Sequence, residues 1–206
     1  MTSDVIASFN TFVQRLPEAK RKKCILIMKT NPIDKFGTNL IAVKKAIAPD
    51  VEIAFINQKL TIEQLNQLYN ISDVTINIAS QEGFGLSSLE SMMSGTMIIN
   101  NMTGGLQDQA VGKWAVPVYP KTKSIIGSVE TPYLYEDRCS TKDVSNALYK
   151  VYNMNKGDRN KNGLLGREYA MKHFSSDQMA NKIKDALLDL LETWKPKNNK
   201  FNFVKL

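Results

Sequence analysis

Two carboxylates and two glycines crowd into Glu82-Gly83-Phe84-Gly85-Leu86-Ser87-Ser88-Leu89-Glu90. Glycine at 83 and 85 permits backbone angles that other residues avoid and lets an anionic ligand come close to the main chain. A helix starting near Ser87 would aim its first free N–H groups, and the positive end of its dipole, at such a ligand. A diphosphate is the natural guest. Carboxylates accept hydrogen bonds from vicinal hydroxyls, so Glu82 on one side and Glu90 in the first helical turn suit a molecule with sugar hydroxyls at both ends. A nucleotide sugar, with its ribose, diphosphate and hexose, has that form. Other readings stay open: Ser87-Ser88-Leu89-Glu90 also spells a capping box, which needs no ligand, and Glu82 also reads as an exposed loop acid. A second glycine-bearing stretch, Thr103-Gly104-Gly105-Leu106, follows a little later.

The elements around these stretches alternate. Val5, Ile6, Phe9, Phe12, Val13 and Leu16 fall at helical spacing behind Ser3 and Asp4 as caps, and Pro17 closes that helix. Cys24 to Met28 is a short apolar run, the pattern of a strand buried on both faces, with Lys29 at its carboxyl end. A helix over 34–48, a strand over 51–56, a helix capped by Thr61 and Gln64, and a strand over 74–78 follow. Then come the first glycine loop, the helix from Ser87, and a strand over 96–100. This rhythm predicts an α/β fold: a doubly wound parallel sheet, Rossmann-like, with helices on both faces. Both glycine stretches then lie beyond the carboxyl ends of strands, where open parallel sheets bind ligands. Residues 101–135 read as loops around one strand near 114–118, with helices at 141–154, 160–173 and 176–194. The organisation expected is one domain over 1–195 and a tail over 196–206.

Composition narrows the function classes. The 206 residues are 43% hydrophobic and 23% charged, an ordinary globular balance. Two cysteines, Cys24 and Cys139, make neither a disulfide framework nor a metal cluster. No apolar run approaches membrane-spanning length, and the first residues lack a secretory pattern, so a soluble cytoplasmic protein is expected. The net charge of +7 suits phosphate-bearing ligands, while its dense clusters, Lys20–Lys23 and Lys195–Lys200, read as solvated loop and tail. Without aromatic interleaving or finger spacing, nucleic acid is not an expected partner. The single histidine, His173, falls at a helix end in a cap or surface position.

The run Ser80 to Ile99, with its Glu82-Gly83-Phe84-Gly85 and Glu90, resembles the central motif of retaining family 4 glycosyltransferases of the GT-B fold, the glycosyl transferases group 1. Thr103 to Asp108 resembles the matching loop of that family and of glycogen synthases. Glu63 to Tyr69, Ser72 to Val74, and Phe174-Ser175 fit the same pattern, which extends over roughly 4–192. The resemblance implies the C-terminal, donor-binding half of a two-domain enzyme. Glu82 would hold hydroxyls of the transferred sugar, and Glu90 those of the ribose. Main-chain N–H groups of Gly83, Phe84, Gly85 and Leu86 would meet sugar and phosphates, with Gly104 and Gly105 nearby. Ile56 and Asn57 would lie beside the base. The resemblance implies neither a metal ion nor a cofactor, the nucleotide sugar being a substrate.

This chain departs from the pattern in two respects. The Arg and Lys that usually clamp the diphosphate stand ahead of the first helix in such enzymes and are missing here, as is the acceptor-binding N-terminal domain. Lys29 is the only basic residue placed to substitute. Two other functions compete: a non-catalytic module that holds a nucleotide sugar, and an epimerase of the related two-domain fold.

Overall fold

The protein is described by a computed structural model over residues 1–35, 37–131 and 133–195. Its first helix, α1 (Thr2–Gln14), begins earlier than expected, with Met1 rather than Ser3 or Asp4 at the cap position and no side-chain cap. Asp4 sits in the first turn, where a carboxylate favours the dipole. Ile6, Phe9, Phe12 and Val13 line the buried face, and each contributes about 2 kcal/mol of apolar burial. Pro17 opens a second, short helix, α2 (Glu18–Arg21), so the basic cluster is part helix rather than loop.

The sheet builds from β1 (Ile25–Met28), α3 (Leu40–Ile47), β2 (Glu52–Phe55), α4 (Ile62–Ile71), β3 (Val74–Asn77), α5 (Leu86–Met93), β4 (Met97–Asn101), α6 (Leu106–Gln109) and β5 (Ala115–Val118). Three boundaries follow local chemistry. Asn39 caps α3 by accepting from the Ala42 N–H, which makes that helix much shorter than the predicted 34–48. Thr61 and Gln64 form the predicted capping box on α4, with both bonds present. Gly85, in the left-handed conformation at φ 89°, starts α5.

All these strands are parallel. Ile25 pairs with Glu52, Val74 with Met97, and Ile98 with Ala115. Alternate residues of β4 face opposite layers: Met97 and Ile99 join the core with α1, while Asn100 is held from the other face by Ser88 of α5. The architecture is therefore the doubly wound, Rossmann-like α/β sheet expected. It is not continuous, however: β1 and β2 form one ladder, and β3, β4 and β5 another. The expectation that β1 is buried on both faces fails for the same strand. Leu26 and Met28 are buried, but Ile25 is 57% exposed.

The segment expected as loop contains more structure than its sequence suggests. Besides α6 and β5, an antiparallel hairpin forms from β6 (Thr122–Ile126) and β7 (Leu134–Arg138). The chain continues through α7 (Thr141–Tyr152), α8 (Lys156–Phe174, starting earlier than the predicted 160) and α9 (Ser176–Thr193). It divides into two compact units, Met1–Ala170 and Met171–Leu206. Within the second unit, α9 carries Met179, Ile183, Leu187 and Leu191 as exposed apolar side chains. The predicted tail, 196–206, lies outside the described residues.

Candidate functional site: two interlocked glycine loops

The two glycine stretches meet. The loop from Ile78 to Gly85 leaves the carboxyl end of β3, and Thr103 to Gly105 leaves that of β4. The Gly105 N–H donates to the Glu82 carbonyl at 3.0 Å. Both glycines of the second loop are demanded by this contact. A Cβ on Gly104, whose φ is +47°, would fall on the Glu82 carbonyl oxygen, and one on Gly105 would fall on that of Gly83. Gly85 is demanded twice over, by its positive φ and by the side chain of Leu106. Gly83 is different: a Cβ there meets nothing within 4 Å. Its lack of a side chain serves nothing in the fold and leaves the main chain open to solvent.

A buried polar frame fixes the nest from below. Gln109, fully buried, donates through Nε2 to the Phe84 carbonyl at 2.6 Å and the Gly85 carbonyl at 3.3 Å. Its Oε1 finds no protein partner. Trp114 Nε1 donates to the Gln109 carbonyl at 2.8 Å and holds that short helix in place. Ser88 Oγ donates to Asn100 Oδ1 at 2.9 Å, and Asn101 Nδ2 donates to the carbonyls of Ala79 and Asp137. Buried amides bonded to main-chain carbonyls set loop conformation tightly, since a slip would strand them unpaired.

The hairpin strand β7 walls one side. The Asp137 N–H donates to the Ser80 carbonyl at 3.0 Å, Thr103 Oγ1 donates to Asp137 Oδ2 at 2.8 Å, and Gln81 Nε2 donates to the Tyr135 carbonyl. Glu136 accepts from Ser80 and from Arg138, whose guanidinium lowers the carboxyl below its ordinary range.

Glu90 does not complete a capping box. Helix α5 starts at Leu86 with no side-chain cap, so Glu90 falls in the second turn, not the first as expected. It instead accepts from the Tyr69 hydroxyl at 2.8 Å. Burial first, and then this carboxylate, raise the Tyr69 phenol above its ordinary value, which keeps it a proton donor. The first N–H groups of α5 thus have no side chain capping them, and Leu86 and Ser87 are exposed beside them.

The structure therefore brings Glu82, Gly83, Phe84, Gly85, Leu86, Ser87, Gly104 and Gly105 together at the amino end of α5, with Glu90 one turn on. Lys29 follows the carboxyl end of β1, and Ile56 and Asn57 that of β2, in the other half of the split sheet. Lys29 and Asn57 are exposed. Sequence reasoning missed Gln109, Tyr69 as the partner of Glu90, Asn101 and Asp137. Only Gln109 carries a signal, standing directly after the Gly104–Asp108 stretch. Because Tyr69 orients Glu90, Tyr69→Phe should weaken binding of a ribose-bearing ligand by about threefold to tenfold, with a stability loss near 1 kcal/mol. Calorimetric titration and thermal melting of the variant check both.

The same arrangement of strands and helices occurs in solved glycosyltransferases. Sucrose-phosphate synthase from Thermosynechococcus elongatus matches over 94% of this chain with a TM-score of 0.68 at 18% identity. HepE of Anabaena, solved in complex with UDP-glucose, matches over 89% with a TM-score of 0.65 at 13% identity. The C-terminal domain of the glycosyl transferase group 1 family protein LpcC from Francisella tularensis matches over 84% with a TM-score of 0.58 at 20% identity. This chain spans 44% of the length of each of the first two and 78% of the third. No protein-family model and no curated protein matches it. At these identities the likeness establishes the fold, that of the C-terminal half of GT-B glycosyltransferases. Among the described residues no helix is long and apolar enough to cross a membrane.

Proposed function

We propose that this chain is the donor-binding domain of a cytoplasmic glycosyltransferase that moves a hexose from a nucleotide diphosphate sugar to an acceptor held by a second, N-terminal domain. The observation that carries this reading is Gly83, the one glycine of the nest that the fold does not require, open toward solvent beside an uncapped helix N-terminus. A diphosphate placed there meets main-chain N–H groups of the Gly83–Leu86 segment and the positive end of α5. Glu82 then takes hydroxyls of the hexose, and Glu90, oriented by Tyr69, those of the ribose. Ile56 and Asn57 flank the base, and Lys29 approaches the phosphates. The complex of HepE with UDP-glucose supports the ligand class.

Chemically, the bond between the anomeric carbon and the diphosphate oxygen breaks while negative charge grows on the departing diphosphate. Donors that already point at that oxygen lower the barrier without reorganising. The reaction proceeds with retention at the anomeric carbon and without a metal ion, protein groups and the helix dipole neutralising the diphosphate. The isolated chain binds donor weakly and transfers nothing, because the acceptor side of the cleft lies on the other domain.

Calorimetric titration of UDP- and GDP-linked hexoses into the chain tests the proposal. One donor class should bind with a dissociation constant on the order of 0.1–1 mM, and Glu82→Ala should weaken it about tenfold or more. Binding unaffected by Glu82→Ala, or sugar transfer by the isolated chain, contradicts it.

A further inference from the structure

The hairpin of β6 and β7 carries apolar side chains that its own fold leaves uncovered. Its two strands pack chiefly on each other. Tyr133 and Tyr135 are 65% and 50% exposed, and Ile125 stands open beside them. Residues directly opposite in an antiparallel pair share a face, and alternate residues along a strand return to it. Ile125 pairs with Tyr135 and Lys123 with Asp137, so these four project from one face. Tyr133 joins them, its ring centred 6.3 Å from that of Tyr135 and inclined to it at 73°. Lys123 Nζ lies 4.9 Å over the centre of the Tyr135 ring. Two rings at this angle make a corner, with an ammonium group at its rim.

This corner adjoins the candidate site. Thr103, at the head of the second glycine loop, donates to Asp137 Oδ2, so the ring-bearing face of the hairpin is turned toward that loop. Gln81, the residue before Glu82, donates to the Tyr135 carbonyl, and the Asp137 N–H donates to the Ser80 carbonyl. Strand β7 is thereby fastened to the loop that bears Glu82. Lipid, protein or carbohydrate could cover such a face, and the charges decide between them. Over 121–138 three basic side chains balance three acidic ones, and Glu130 occupies the turn, so an anionic lipid surface would find no net attraction and a carboxylate to bury. The centre of a protein interface is poor in charge, whereas here Lys123 and Asp137 stand among the rings. A pyranose fits both features. Its C–H face lies flat on an aromatic plane, and its rim of hydroxyls needs donors and acceptors around that plane, which Lys123 and Asp137 supply.

We propose that Tyr133, Tyr135 and Lys123 form a subsite for a pyranose ring, and that the acceptor of the transfer is a carbohydrate reaching from the Glu82 loop across the hairpin. The subsite itself stands on the geometry of the hairpin, while its assignment to the acceptor rests on the donor reading of the glycine nest.

Neutral trisaccharides, which carry nothing for a diphosphate cradle, test the subsite on the 206-residue chain. Maltotriose, cellotriose and chitotriose are titrated separately into the ¹⁵N-labelled protein and followed through backbone amide shifts. At least one should move the amides of Lys123 to Ile125 and Tyr133 to Asp137, with a dissociation constant on the order of 1–10 mM. Tyr133→Leu and Tyr135→Leu keep an apolar side chain but remove the ring. Each should weaken binding about fivefold or more, while Tyr133→Phe should not. If either leucine disorders the hairpin, nuclear Overhauser contacts between tyrosine ring protons and sugar C–H protons in the unaltered chain decide instead. No shift with any of the three sugars at about 50 mM overturns the proposal, as do affinities indifferent to both leucines, or the absence of ring contacts. Shifts of the same amides that grow with protein concentration alone would mean that a second copy covers the face, and overturn it too. UDP-glucose, titrated in parallel, keeps the two readings apart. Hairpin shifts with a trisaccharide but none at 83–87 with the nucleotide sugar would uphold the subsite and remove the donor reading. The reverse pattern would remove the subsite alone.

Discussion

Alanine in place of Gly104 should lower the unfolding free energy by about 3 kcal/mol and the melting temperature by about 8 °C. Two costs combine. The residue sits at φ +47°, which an L side chain adopts only with strain, and its new methyl group would press on the Glu82 carbonyl oxygen. That carbonyl already accepts the Gly105 N–H, so relieving the clash by moving Glu82 breaks the bond that joins the two loops. Thermal and urea unfolding of the variant measure the loss. Gly83→Ala makes the contrast. With open space around the position and no positive φ, its stability should change by less than about 0.5 kcal/mol. Its donor affinity should nonetheless fall about tenfold, because the methyl group occupies the path to the main chain. A loss of stability in Gly83→Ala equal to that in Gly104→Ala would make both glycines purely structural.

Glu90→Ala should weaken nucleotide-sugar binding by about 30-fold or more, the loss expected when hydroxyls forfeit a charged acceptor. The competing view, that this carboxylate serves only its own helix, is answered by the geometry: it caps nothing and its one described partner is the Tyr69 hydroxyl. Losing that bond accounts for a stability change of about 1 kcal/mol and for no more than the threefold to tenfold loss of affinity expected of Tyr69→Phe. A titration series on Glu90→Ala, Glu90→Gln and Tyr69→Phe separates the two roles. If all three bind as the parent does, Glu90 touches no ligand.

The fold was legible because its strands announce themselves. Runs such as Val74 to Ile78 and Thr96 to Asn100 are rich in β-branched residues and alternate with helical stretches, and Thr61 with Gln64 makes the box its letters suggest. The nest was legible as two separate glycine stretches, each beyond a strand end. Their interlocking was not, because the Gly105–Glu82 bond joins residues whose proximity only the β3–β4 pairing creates. Spelling misled at Glu90, where Ser87 through Glu90 reads as a capping box while the left-handed Gly85 starts the helix two residues earlier. The hairpin of β6 and β7 was missed because Thr122 to Ile126 and Leu134 to Arg138 mix charged and apolar residues without alternation. The split sheet was also beyond the sequence. The apolar run Cys24 to Met28 promised burial on both faces, and only the observed pairing shows β1 bonded on one edge alone.

The most direct test of the donor reading is an NMR titration of the ¹⁵N-labelled chain with UDP-glucose, followed through backbone amide shifts. The account predicts the largest shifts at Gly83, Phe84, Gly85, Leu86 and Ser87, smaller ones at Gly104 and Gly105, and their loss in Glu82→Ala. Shifts centred elsewhere in the chain, with the 83–87 amides unmoved at saturating ligand, would contradict it.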